Sequence, residues 1–202
     1  MLRLELMSMG YIETLSFILG STCDMIGRLN LEQTDQALPV KIDSVYENNC
    51  VRNSLIPVML KTVASNQKSP LPIKTFEVSD VVIRSDSPTG VKNQRNLAAI
   101  YCGTSSGFEL IHGVLDTAMA SLEIKPYFQF PSNSSYRLEE SNHPMYLPLR
   151  CCAIKINNII LGYMGIIHPN VLKNFEIHQS VCSCIEINVE LMLSFHNSPR
   201  FN

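Results

Sequence analysis

Residues 51–84 read VRNSLIPVMLKTVASNQKSPLPIKTFEVSDVVIR, which spells a helix, a proline-marked turn and a long strand. Ser54 is placed as an N-cap, its hydroxyl able to accept an orphan amide of the first turn. Pro57 then falls inside that turn, where a missing N–H costs little. Leu55, Ile56, Met59, Leu60, Val63 and Ala64 recur at helical spacing and make one apolar face. Asn66 to Pro72 stops the helix, because the residue before each of Pro70 and Pro72 is pushed out of the α region. From Ile73 the β-formers Phe76, Val78, Val81, Val82 and Ile83 take over.

Upstream, residues 1–9 read as a helix end stopped by Gly10. Tyr11 to Leu19, YIETLSFIL, alternates, and as one strand would put Tyr11, Glu13, Leu15, Phe17 and Leu19 on a common face. Ser21 caps a short helix through about Leu29. Residues 30–37 form a polar linker, residues 39–43 a short strand, and residues 46–50 a polar turn into the quoted stretch.

Downstream, the turn cluster SDSPTGVKN joins the long strand to Arg95–Cys102 as a hairpin. Phe108 to Leu122 has the best helical period, through Leu110, Ile111, Val114, Leu115, Ala118, Met119 and Leu122. Residues 127–148 are strand fragments. Residues 151–156, an Asn157-Asn158 turn and residues 159–167 make a second hairpin. A short helix near residues 171–175, a strand over 181–189 and a short helix over 190–195 complete the chain. Hairpin-joined strands with several helices predict an α+β fold, an antiparallel sheet flanked by helices. One domain over residues 1–197 and a tail over 198–202 follow.

Composition sets bounds. The 202 residues are 46% hydrophobic and 17% charged, which suits a globular chain with a real core. A formal charge of −2 gives no bulk pull toward nucleic acid. No apolar run reaches the roughly 18 residues needed to span a bilayer. MLRLELMSMG lacks the pattern of a signal peptide, so the chain is expected in the cytoplasm and off the membrane. Met1 falls inside the first helix, as if upstream sequence had been cut away. The seven cysteines are read as reduced core thiols, since Cys151-Cys152 and Cys182-x-Cys184 are spaced too tightly for usual zinc pairs.

The words GYIETLSFILGS, VRNSLIPVMLKTVASNQKSPLPIKTFEVSDVV, NQRNLAAIY, GFELIHGVLDTAM, LGYMGIIHPNVLKNFEI and SCIEINVELML follow one another over most of the chain. In that order they resemble the C-terminal catalytic-like core domain of the phenylalanyl-tRNA synthetase beta-subunit family, of the archaeal and eukaryotic kind. The resemblance implies the class II aminoacyl-tRNA synthetase fold. It implies a role within a phenylalanine-tRNA ligase, where an alpha subunit carries ATP and magnesium and charges tRNA(Phe).

Amino-acid activation builds negative charge on phosphorus, so a working site needs fixed cations and magnesium. The class II pattern places one Arg at a strand end, in a phrase like FEIGxxFRxE. Aligned on Phe76-Glu77-Val78, that position falls on Ile83, and Arg84 lies one step along, on the opposite face. The second family Arg ends a Gly-rich phrase; its counterpart here, IEINVELML, puts Leu191 after Glu190. No catalytic, cofactor-binding or metal-binding residue is therefore assigned, and Ile83 and Leu191 mark degenerate arginine positions beside the expected cleft at Glu77.

GYIETLSF, preceded by LRLELMSM, resembles the helix-plus-strand motif by which class II cores pair. Tyr11, Glu13, Leu15 and Phe17 are taken as subunit-interface positions toward the alpha subunit. Remaining candidates weigh less. His112 with Asp116 one turn on reads first as a packed or capped core histidine. His168-Pro169 marks a turn entering a helix. No phosphate-cradling glycine motif occurs. Arg52, Lys61, Lys68, Lys74, Lys92 and Arg95 read as solvated surface before an RNA-facing patch. Two rival functions stand beside the supporting core: a lone amino-acid-activating enzyme, and a stand-alone small-molecule-binding or regulatory paralogue.

Overall fold

The structure, a computed structural model, describes residues 1–32, 38–43, 48–132, 134–178 and 180–196. The chain runs α1 (Leu2–Ser8), β1 (Ile12–Glu13), β2 (Leu19–Gly20), α2 (Thr22–Met25), a 3-10 turn (Gly27–Leu29), β3 (Val40–Lys41) and β4 (Cys50–Val51). It continues through α3 (Ile56–Ser65), β5 (Ile73–Arg84), β6 (Val91–Gly103), α4 (Phe108–Ala120), β7 (Tyr136–Glu140) and β8 (Tyr146–Ile156). It ends with β9 (Ile159–Ile167), α5 (Pro169–Asn174), β10 (Val181–Asn188) and α6 (Val189–Ser194). The tail expected over 198–202, and residue 197 beside it, lie outside the described residues.

The quoted stretch folds as read. α3 buries Ile56, Met59, Leu60 and Val63 completely. Each such side chain contributes roughly 1.5–3 kcal/mol of burial. The helix starts one residue later than a Ser54 cap implies, with Leu55 at the cap position, yet the Ser54 hydroxyl still accepts the Ile56 amide at 3.2 Å. β5 and β6 form the expected hairpin, registered from Ile73↔Cys102 to Arg84↔Val91. β6 begins earlier than Arg95 because the hairpin zips to within a few residues of its turn.

β6 shows how the layers arise. Leu97, Ala99 and Tyr101 face a first core with Leu6 of α1, Ile111 to Met119 of α4 and Met192 of α6. Ala98, Ile100 and Cys102 face a second core with α3 and with Val171 and Leu172 of α5. The period of two thus sends alternate residues to helices on opposite faces. The main sheet has the order β1-β5-β6-β10-β9-β8-β7. It is mixed rather than antiparallel: β1 runs parallel to β5 at the edge, with Ile12↔Thr75 and Glu13↔Phe76, and the other pairings are antiparallel. β1 comes off α1 and is separated from β5 by α2 and α3, so no tight turn dictates its direction. The Asn157-Asn158 turn joins β8 and β9 with φ of 45° and 67°, as a primed hairpin turn requires.

The expected strand over Tyr11–Leu19 is the main departure. Only Ile12–Glu13 pairs as β1, and Tyr11 is buried while Leu15 and Phe17 stand 86% and 89% exposed, so they share no face. Alternation persists with the polar residues inward: the Thr14 amide and hydroxyl both donate to the Phe76 carbonyl, at 2.8 and 3.2 Å. β2, β3 and β4 form a separate small antiparallel sheet, of which only β3 was foreseen. Cys50, Cys102, Cys151, Cys182 and Cys184 are buried, Cys152 half-buried, and Cys23 exposed. No helix among the described residues is long and apolar enough to cross a membrane.

Candidate functional site

Glu77 sits on β5 at full burial, and the sequence as read gives it no partner. The partner is Arg52, just after β4, whose Nη1 lies 2.9 Å from Glu77 Oε1 with both side chains 1% exposed. The rest of the guanidinium is spoken for: Nε donates to the Asp80 carbonyl at 3.0 Å, Nη1 also to the Ser16 carbonyl, and Nη2 to the Ser79 hydroxyl at 2.6 Å. Glu77 Oε2 accepts the Ser16 amide and hydroxyl, at 3.2 and 2.7 Å. This ion pair is closed by protein groups on every side and ties the small sheet, β5 and the segment after β1 together. With both side chains 1% exposed it is out of reach of a substrate, so its role is structural.

Ile83 is half-buried against the second core. Arg84, on the other face, donates from Nε to the Leu38 carbonyl at 3.3 Å. Leu191 is half-buried against the first core, its amide held by the Asn188 cap at 3.0 Å.

A concave site lies further along the second-core face. A cavity of about 240 Å³ opens where β6, β9 and β10 pass α3, with Glu186, Asn96, Gln94, Ser54, His143 and Tyr163 in its wall. Glu186 Oε1 accepts the Asn96 side-chain amide at 2.7 Å and the Leu55 backbone amide at 3.0 Å. Oε2 accepts the Ser54 hydroxyl at 2.6 Å. Asn96 in turn accepts from Gln94 at 2.8 Å. Burial pushes the Glu186 carboxyl up, and these donors pull it partly back. Burial lowers His143, which stacks 5.0 Å from Tyr163. Among its described lining residues the cavity has amides, aromatic rings and one carboxylate, and no Lys or Arg.

The weaker candidates resolve locally. His112 Nδ1 meets Asp116 Oδ2 at 3.0 Å, and Asp116 Oδ1 accepts the Tyr136 hydroxyl at 2.6 Å. His112 is half-exposed on the rim of a groove beside Phe128 and Phe130, not packed in a core. His168 caps α5, its ring accepting the Asn170 amide at 3.0 Å. The basic residues do not make one free patch: Arg52 is buried, Lys61 pairs with Asp24 at 2.6 Å, and Arg95 grips both Asp80 oxygens at 2.6 and 2.9 Å.

The four interface positions separate. Tyr11 is 3% exposed in the first core and has no surface to offer a partner, because Gly10 turns the chain inward off α1. Glu13 is half-buried and paired with Arg3 at 2.6 Å. Leu15 and Phe17 project outward beside Ile12 and Ile18, and Leu4 and Met7 of α1 are exposed as well. What sequence reasoning missed is Arg52–Glu77 and Glu186–Ser54–Asn96. The one available signal was a lone Glu inside each of two apolar strands, FEV and IEI.

Comparison with known proteins places this geometry in a lineage. Residues 1–189 match the family described as "Phenylalanyl tRNA synthetase beta chain CLM domain". The mouse phenylalanine--tRNA ligase beta subunit is 37% identical over 195 residues, covering 96% of this chain and 32% of the relative. The Drosophila melanogaster beta subunit is 37% identical over 193 residues, covering 94% and 32%. The Arabidopsis thaliana protein, named as the cytoplasmic beta subunit, is 38% identical over 201 residues, covering 96% and 33%. The chain spans about a third of the length of the curated relatives it matches.

Proposed function

The chain belongs to the phenylalanyl-tRNA synthetase beta chain family, and on that footing we propose that it is a non-catalytic, synthetase-like core of the beta subunit of phenylalanine-tRNA ligase. In this reading it adopts the class II synthetase core fold and supports an alpha subunit in the ATP-dependent charging of tRNA(Phe) with phenylalanine. ATP and magnesium bind to that alpha subunit. The location is the cytoplasm, as in the name of the Arabidopsis relative.

The observation that carries the non-catalytic half is Glu186. A phosphate being attacked gathers negative charge and needs fixed positive groups around it. The cavity beside β6, β9 and β10 presents a carboxylate instead, among neutral amides and rings. Ile83 and Leu191, where the class II pattern has arginines, are half-buried against the two cores. The supporting half rests on Leu15 and Phe17, held outward by the Thr14 and Ser16 contacts to Phe76 and Glu77. Apolar side chains that far out of a core mark a surface made to be covered.

Phenylalanine-dependent exchange of labelled pyrophosphate into ATP tests this. Exchange is expected from an alpha-subunit preparation joined with this chain, and none from this chain by itself with any of the twenty amino acids. Exchange by this chain alone would make it a ligase in its own right.

A further inference from the structure

Asp24 and Glu77 are buried carboxylates and Glu186 is half-buried, and the three are treated differently: Asp24 meets Arg28 and Lys61. Glu77 has a guanidinium built against it. Glu186 has the Ser54 hydroxyl and the amides of Asn96 and Leu55, all neutral dipoles, and none of the ion pairs among the described residues includes it. A desolvated carboxylate without a counter-charge is unfavourable, and dipoles offset only part of that cost. Glu186 is part of the cavity wall. We infer that this cavity is a binding site for a small organic primary amine, its ammonium seated against Glu186 and its apolar body against Tyr163, Met145 and Leu31.

The chemistry of the wall sets the ligand class. The polar side chains Gln94, Asn96 and Ser54 line the same cavity as Glu186. At the other end, Tyr163, Tyr146 and the neutral ring of His143 form an aromatic cluster, with centroids 5.0 and 5.5 Å from His143. Aromatic faces take both an apolar body and a cation. An anion is disfavoured, because it would meet Glu186 with no cation among the described lining residues to hold it. Size points the same way: about 240 Å³ is below the roughly 300 Å³ at which pockets for drug-sized ligands begin, which favours a small body. The inference goes beyond the supporting role and does not depend on it.

Titration calorimetry of the full chain with 2-phenylethylamine, 2-phenylethanol and 3-phenylpropionate reads the three chemistries on nearly one body. The amine is expected to bind at one site at least tenfold more tightly than the alcohol, and the acid not at all. Glu186→Gln keeps an acceptor for the Leu55 amide and is expected to erase the preference for amine over alcohol. Equal binding of amine and alcohol, binding of none of the three, or a preference intact in Glu186→Gln would overturn the inference. If Glu186→Gln fails to fold, Tyr163→Ala decides: it should weaken amine and alcohol alike by at least fivefold, and an unchanged amine affinity would overturn the site.

Discussion

Arg52 and Glu77 show how a buried charge pair dictates what is displayed outside. Their network pulls Ser16 inward, which leaves Leu15 and Phe17 facing solvent. Removing one partner of such a pair strands the other, at a cost of about 3–5 kcal/mol. Arg52→Met should therefore lower the urea midpoint by that equivalent, and the double variant Arg52→Met with Glu77→Leu should recover most of it; a double variant no better than the single one would refute the pairing. Arg95–Asp80 is the contrast. Both side chains are close to half exposed, so Arg95→Ala should cost under about 1 kcal/mol. The Arg95 guanidinium holds the Asp80 carboxyl below its usual range. The pair's contribution is then present above the ordinary carboxylate pKa and fades as pH falls through the lower folded value. Wild-type and Arg95→Ala stability curves should converge on the acid side.

Among the elements, β9 and β10 leave no room for a side chain at Gly162. A Cβ there would lie 1.9 Å from the Glu186 carbonyl oxygen, which is backbone and cannot swing aside. Gly162→Ala is expected to cost more than about 3 kcal/mol in a thermal melt, since relief requires moving the ladder behind the cavity. Elements of this length were legible in advance. α3, α4, β5, β9 and β10 repeat their apolar residues often enough for the period to speak. The parallel pairing of β1, and β2 and β4, were not legible: strands of two residues carry no period, and a parallel partner so distant in sequence leaves no local sign. The inward turn of Thr14 and Ser16 escaped for a related reason, because the alternation that puts Leu15 and Phe17 on one face with Tyr11 does not say that the polar face turns inward unless the buried Glu77 is known. The cavity at Glu186 hid likewise, since Ser54, Asn96 and Glu186 come from three separate elements and meet only in the fold.

At the scale of the molecule, the sheet is covered by helices on both faces, while its β1 edge carries exposed Ile12, Leu15, Phe17 and Ile18. An uncovered apolar edge is a liability for a chain that works alone and an asset for one that works in an assembly. Surface substitutions away from buried groups usually move stability by no more than about 0.5 kcal/mol. Leu15→Asp with Phe17→Asp should therefore leave the melting curve of the isolated chain in place while breaking its assembly. The supporting role itself meets its most direct test in co-expression of this chain with a phenylalanyl-tRNA synthetase alpha subunit, followed by sizing. Elution of the two as one complex, lost in the Leu15→Asp, Phe17→Asp variant, is the predicted result; elution as two separate proteins would contradict it.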